Sequence, residues 1–160
     1  MQHSERSRAP PVVIIDSSII IDSLVCKVDL ILEIDRVLSK AFTPAILSGT
    51  ISEIENILRR SAGEKRRKQL TMALESAKRF NKLDYDPLGD EEMDDVILRV
   101  AIDLRAIVAT DDGTLRKRLA KAGTPVLFLR GKSHIEASGY PEGLEDPFPD
   151  SSNHYQYQRD

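Results

Sequence analysis

The sequence predicts a doubly wound α/β sandwich, and three observations predict it. At 160 residues the chain is long enough for one well-buried core and too short for two. Short, uninterrupted, β-branched runs such as Val12–Ile15, Ala106–Thr110 and Pro125–Leu129 read as strands buried on both faces of a parallel sheet. Between them lie segments with a helical apolar period, and strands separated by helices connect through right-handed crossovers.

The elements follow in order. The opening ten residues are polar and read as a disordered lead-in. The first strand, Val12–Ile15, stops at Asp16-Ser17-Ser18, which can cap a helix. Leu30, Ile31, Ile34, Val37 and Leu38 fall on one face and predict a helix over 28–40. Ala41–Pro44 reads as a second strand ending at proline. Ile51, Ile54, Ile57 and Leu58 mark the next helix, with Ser48 or Thr50 as caps and Gly63 near its end. Leu70, Ala73, Leu74, Ala77 and Phe80 mark another, and Lys82–Tyr85 a further candidate strand. Val96, Ile97, Val100, Ala101 and Leu104 give a helix whose start is rich in acids. Strand Ala106–Thr110, helix Leu115–Ala122 and strand Pro125–Leu129 complete a sheet of four to five strands. Residues 140–160 turn to Pro, Gly, Ser and Gln and read as a flexible acidic tail.

Composition removes several classes. The formal charge of −3 excludes the uniformly basic make-up of histone-like proteins. Residues 141–160 hold five acids against Arg159, a net of −4, which leaves a body near neutrality with room for local basic patches. A lone cysteine, Cys26, excludes intramolecular disulfides, cysteine zinc ribbons and CxxC chemistry, and points to a reducing, cytoplasmic setting; it reads as a small buried apolar residue. Asp16 and Asp22 interrupt the apolar stretches, so neither a membrane span nor a signal-peptide core is present in the sequence. Arg130-Gly131-Lys132-Ser133 resembles the end of a phosphate loop, but the upstream glycine position is Val126. A phospho-receiver would need a stronger central strand than Lys82–Tyr85. His3, His134 and His154 lack zinc-ligand spacing.

Acids recur where ligands bind in open parallel sheets, at the carboxyl ends of strands. Asp16 follows the first strand, Asp111 and Asp112 follow the Ala106–Thr110 strand, Glu53 lies early on the helix after the second, and Asp94 and Asp95 open a later helix. Each has an ordinary role open to it. Acids in a first helical turn complement the macrodipole, Thr50-x-x-Glu53 fits a capping box, and Asp112 can cap its helix. Asp16 is harder to explain that way, because an acid directly after a buried strand needs partners. Gathered carboxylates suit a hard divalent cation, which takes oxygen ligands and assists phosphodiester hydrolysis.

VVIIDSSIIID, TISEIENIL, DDVILRVAIDLRAIVATDDGTLRKRL and GTPVLFLRGKSHIEASG resemble, in that order, the PIN-domain nucleases, over most of residues 11–139. The likeness is to the branch holding VapC-like proteins and small-subunit ribosomal RNA processing endonucleases. It implies a three-layer α/β/α fold over 11–139 and a metal-dependent endoribonuclease using one or two Mg²⁺ or Mn²⁺ ions. The family's four acids match Asp16, Glu53, Asp94 (seven residues before the small Ala101, in preference to Asp95) and Asp112 (from the T-x-D pattern after Thr110). Ser18 and Thr110 take supporting polar positions. The sequence departs at Ser17-Ser18, where Thr-Asn is common, and at Asp111, where Asn is common; Asp111 is thus a possible fifth ligand. Implied partners are RNA, ribosomal or precursor, together with an antitoxin or ribosome-assembly proteins, and a second copy of the chain. The alternative is a catalytically silent PIN-like RNA-binding or assembly factor.

Arg59, Arg60, Lys65, Arg66, Arg67 and Lys68 form the densest basic run, and Arg116, Arg118, Arg130 and Lys132 add patches near the acids. These are the expected phosphate contacts, though such runs also occur as solvated helix faces. Four Phe, four Tyr and no Trp argue against an extended base-stacking platform.

Overall fold

The computed structural model describes residues 9–139. The predicted tail, 140–160, and all but the last two residues of the predicted lead-in lie outside the described residues. The elements run β1 (Val12–Ile15), α1 (Ser17–Val25), α2 (Leu30–Leu38), β2 (Thr43–Leu47), α3 (Ser48–Arg60), α4 (Glu64–Ala77), β3 (Asn81–Leu83), α5 (Met93–Leu104), β4 (Ile107–Ala109), α6 (Gly113–Lys121), β5 (Val126–Arg130) and β6 (His134–Ser138). One sheet orders the strands β3-β2-β1-β4-β5-β6. The first five are parallel and β6 is antiparallel to β5.

Side-chain alternation divides the core into two layers. Val13, Ile15, Ile107 and Ala109 pack with Ile19, Ile34, Ile54 and Leu70 of α1 to α4, whereas Ile14 and Val108 pack with Val96, Ile97, Leu115 and Leu119 of α5 and α6. The chain is therefore a three-layer α/β/α sandwich. Val13, Ile14 and Ile15 are wholly buried, and such a side chain contributes roughly 1.5–3 kcal/mol on burial. The centre of the sheet anchors the loops that leave it.

Several boundaries differ from those predicted. The sheet has six strands, because His134–Ser138 pairs with β5 after a turn whose Gly131 and Lys132 both have φ +60° and whose Ser133 N–H bonds Arg130 O at 3.2 Å. Positive φ at both central residues is the signature of a type I′ hairpin turn, so this segment is no phosphate loop. β2 starts at Thr43 and continues through Pro44. The Thr43 N–H bonds Pro11 O on the β1 side, so Pro44 faces the β3 side, where pairing begins only at Ala45. The missing N–H removes no ladder bond. β3 is Asn81–Leu83 instead of Lys82–Tyr85. α3 opens directly at the end of β2 with Leu47 at its cap, so Ser48 and Thr50 cap nothing. Gly63, φ +92°, precedes α4 instead of closing α3. Cys26 is half-buried instead of buried.

The edge strand β6 is closed by side chains of α2. Ile135 N–H donates to Glu33 Oε1 at 3.0 Å and Ile135 O accepts from Arg36 Nη2 at 3.1 Å. Glu33 and Arg36 also bond each other, and together they occupy the edge a further strand would take. Arg36, then the Ile135 N–H, hold the Glu33 carboxyl below its ordinary 4.5 against the opposing effect of burial. A lowered carboxylate contributes stability above its unfolded value and loses it as pH falls through the folded value. Glu33→Gln should cost about 1 kcal/mol at pH near 7, and the gap to wild type should close as thermal melts are repeated below pH 4.5.

Candidate active site

Strand order reverses between β1 and β4, and the crevice beyond their carboxyl ends is where open α/β sheets bind ligands. Ile15 lies beside Ala109, and Asp16 N–H bonds Ala109 O at 2.9 Å. Asp16 therefore stands next to Thr110, Asp111 and Asp112. Its side chain is buried. Ser18 Oγ donates to Asp16 Oδ2 at 2.8 Å and Thr110 Oγ1 donates to the same oxygen at 2.7 Å. Each hydroxyl also accepts a backbone N–H, from Asp111 at 3.0 Å and Asp112 at 3.1 Å respectively. The amides fix the hydroxyls as donors toward Asp16, and neither donates to Oδ1.

Glu53, in the second turn of α3, and Asp94, at the start of α5, complete the group. Burial raises the Glu53 carboxyl above its ordinary value, the charges of Asp16, Asp94 and Asp112 add to that, and a Ser17 hydrogen bond opposes it. Burial likewise raises Asp94, with Asp112 and Asp16 adding and Arg118 opposing. These mutual effects bring Asp16, Glu53, Asp94 and Asp112 within electrostatic reach of one another at the carboxyl ends of the strands. Gly49 of α3 leaves room for the Met93 side chain of α5, whose Sδ would lie 2.5 Å from a Cβ there. Asp112 also caps α6, its Oδ1 accepting Leu115 N–H at 2.9 Å. The starts of α1, α3 and α6 directly follow strands at this edge, and their positive ends favour negative charge. Thr50, buried one turn before Glu53, has an Oγ1 without a hydrogen-bond partner.

Other acids are occupied elsewhere. Asp95 accepts from Arg118 Nη2 at 2.7 Å and from Glu92 N–H at 2.9 Å, which hold it below its ordinary value. Asp111 turns toward β5 and α1. Its Oδ1 accepts Leu129 N–H at 2.8 Å, and burial, with the facing Asp22 carboxyl, pushes it up to about 6. In the sequence Ser17 and Asp22 stand out only as part of a helix cap and as the acid that ends the Ile19–Ile21 run, and neither is among the predicted site residues. Among the described residues no three potential ligands converge tightly enough to enclose a metal ion.

The basic residues divide too. Arg67 Nη1 bonds Leu58 O and Ser61 O and so closes α3. Arg118 pairs with Asp95, Arg130 Nε with Glu136 Oε2 at 2.6 Å, and Arg116 stacks 3.8 Å over the Phe128 ring. Arg60 Nε reaches Asn56 O. Arg59, Lys65, Arg66, Lys68 and Lys132 are exposed.

A sequence model described as a PIN like domain matches residues 13–132. The chain belongs to the PIN-like domain family. This PIN domain is 31% identical over 115 residues to Ribonuclease VapC4 of Methanocaldococcus jannaschii, a span covering 71% of the chain and 86% of that protein. Among solved structures, that of the PIN domain endonuclease Utp24 superposes with a TM-score of 0.67 at 26% identity, over 86% of this chain and 98% of that one. A domain of functionally unknown protein from Methanocaldococcus jannaschii superposes at 0.54 and 18% identity, over 85% and 99% respectively, a likeness of fold. Among the described residues, no helix of the PIN domain is long and apolar enough to cross a membrane.

Proposed function

We propose that this PIN domain is a metal-dependent endoribonuclease, hydrolysing RNA phosphodiester bonds within one folded unit over residues 11–139. What supports the reading is that Asp16, Glu53, Asp94 and Asp112, from four separate elements, act on one another electrostatically, with burial and mutual repulsion raising two of them. Such a set is unfavourable unless a cation relieves it. All four are hard oxygen donors, the ligand type that Mg²⁺ and Mn²⁺ take while keeping several waters. Asp16, Glu53, Asp94 and Asp112 would hold one or two ions, with Asp111 left to its contacts with Leu129 and Asp22.

A bound ion supplies charge stabilisation at the phosphate and lowers the pKa of an attacking water. The chain's own groups do the rest. Ser18 and Thr110 orient Asp16 through Oδ2, Arg118 pairs with Asp95, and Glu53, raised by burial, would take up the proton that water releases. The ribonuclease relative supports RNA as substrate, and we place the activity in the cytoplasm, in ribosomal RNA processing or as a VapC-like toxin. Antitoxin, assembly protein or second copy are the partners to look for.

The test is incubation of end-labelled structured and single-stranded RNA with the purified protein and Mn²⁺, Mg²⁺ or EDTA. Internal cleavage that requires the metal is expected. Cleavage unaffected by EDTA would overturn metal dependence, and RNA binding without cleavage under any metal would favour the silent assembly factor.

A further inference from the structure

Beside the four acids lies a second feature that their chemistry leaves unexplained. A cleft of about 850 Å³ opens between the end of α1, the start of α6 and the β5–β6 turn, bordered by Asp22, Cys26, Asp111, Arg116, Leu129 and Lys132. Asp111, one of its bordering residues, directly precedes Asp112, so the cleft adjoins the acids by one residue. We propose that this cleft seats the phosphate of a nucleotide flanking the cleaved bond in a single RNA strand, with Lys132 as its cationic contact and Arg116 beside it. The proposal rests on the nuclease reading and adds to it a substrate path on the β5–β6 side.

Three observations carry it. Of the four cations near the acids, Arg118 and Arg130 are paired with Asp95 and Glu136, whereas Arg116 and Lys132 border the cleft. Arg116 lies flat on Phe128 at 3.8 Å, and its buried Nε has no hydrogen-bond partner. The stacking holds a guanidinium charge at the border of the cleft, although the buried Nε itself is out of reach of a ligand seated there. Lys132 occupies a turn position at φ +60°, a left-handed conformation that suits glycine and is costly for a residue with a Cβ. A lysine there sets an exposed ammonium at the mouth of the cleft, where glycine would make the better turn. Two carboxylates, Asp22 and Asp111, also border the cleft; Leu129 N–H engages Asp111 Oδ1, and Arg116 and Lys132 balance their charge.

The turn geometry supplies a clean variant. Lys132→Gly removes the charge while relaxing the backbone, so its thermal midpoint should equal or exceed that of wild type. With Mn²⁺ and a short single-stranded RNA, it should lose roughly fourfold in kcat/KM near physiological salt, carried by KM. Its log kcat/KM should fall less steeply with log salt concentration, by about 0.7 in slope, as one lost phosphate contact on a single strand requires. Lys78→Ala, a charge removal at the exposed end of α4, should keep the wild-type slope. If Lys132→Gly matches wild type in KM and slope, or Lys78→Ala shows the same loss, the subsite is wrong and the nuclease reading stands. A wild-type protein that cleaves nothing with any metal would remove the nuclease reading, and the subsite with it.

Discussion

Asp16→Asn should lower the single-turnover rate of RNA cleavage roughly a thousandfold, about 4 kcal/mol of transition-state stabilisation, and raise the thermal midpoint of the metal-free protein. The substitution is nearly isosteric, and the Asn carbonyl oxygen still accepts from Ser18 and Thr110 as Asp16 Oδ2 does now. What disappears is a buried negative charge that acts on Glu53 and Asp94. Without metal that charge repels Glu53 and Asp94, so its loss relieves them; with metal it is a ligand, so its loss disables. Asp95→Asn is the control on the same edge. Asp95 already serves the α5 cap and Arg118, so this variant should cleave within several-fold of wild type and lose stability. Wild-type cleavage by Asp16→Asn, or a drop in its metal-free midpoint, would show that Asp16 serves the fold and not the chemistry.

How far the site could be read from sequence depends on whether each residue's partners are local. Asp16 was legible because an acid directly after a buried apolar strand needs partners, and Asp111 and Asp112 because they follow the neighbouring strand in the same manner; Asp112 over Asp111, and the supporting place of Thr110, came from the family resemblance. The choice of Asp94 over Asp95 came from the family resemblance. The structure supplies a physical counterpart, since Asp95 is the acid engaged by Glu92 N–H and Arg118. Arg118 itself could not be read, because its partner sits on another helix. Likewise β6 was missed because Ile135 is its one fully buried apolar side chain, with Ala137 only partly packed on the core, while its outer edge is satisfied by Glu33 and Arg36, roughly a hundred residues earlier. Pro44 looked like a strand end because a proline's harm depends on which neighbour its nitrogen faces. Basic residues read well as charge and poorly as availability: Arg67 is a helix cap, which no local pattern announces.

Divalent metal should raise the thermal midpoint of the wild-type PIN domain more at pH 8 than at pH 5. Glu53 and Asp94 are raised above their ordinary 4.5 and 3.8, each first by burial and then by the other acids. A carboxyl whose folded value exceeds its unfolded one binds protons better when folded. Its contribution to metal-free stability is therefore fully present below the unfolded value and is lost as pH rises through the folded value. In EDTA, stability arising from this pair should decline as pH climbs above about 4 to 5. Metal reverses the decline, because it binds the deprotonated ligands and must displace protons at low pH. At a metal concentration a hundredfold above the dissociation constant the gain approaches about 2.7 kcal/mol. Melts in Mn²⁺ and in EDTA across pH 5 to 8 separate the two effects. Asp94→Asn, which removes one raised acid and one ligand together, should flatten the EDTA profile and shrink the metal gain. A metal gain that is equal at both ends of the pH range, or undiminished in Asp94→Asn, would mean that the ion binds elsewhere and that the four acids do not act as one site.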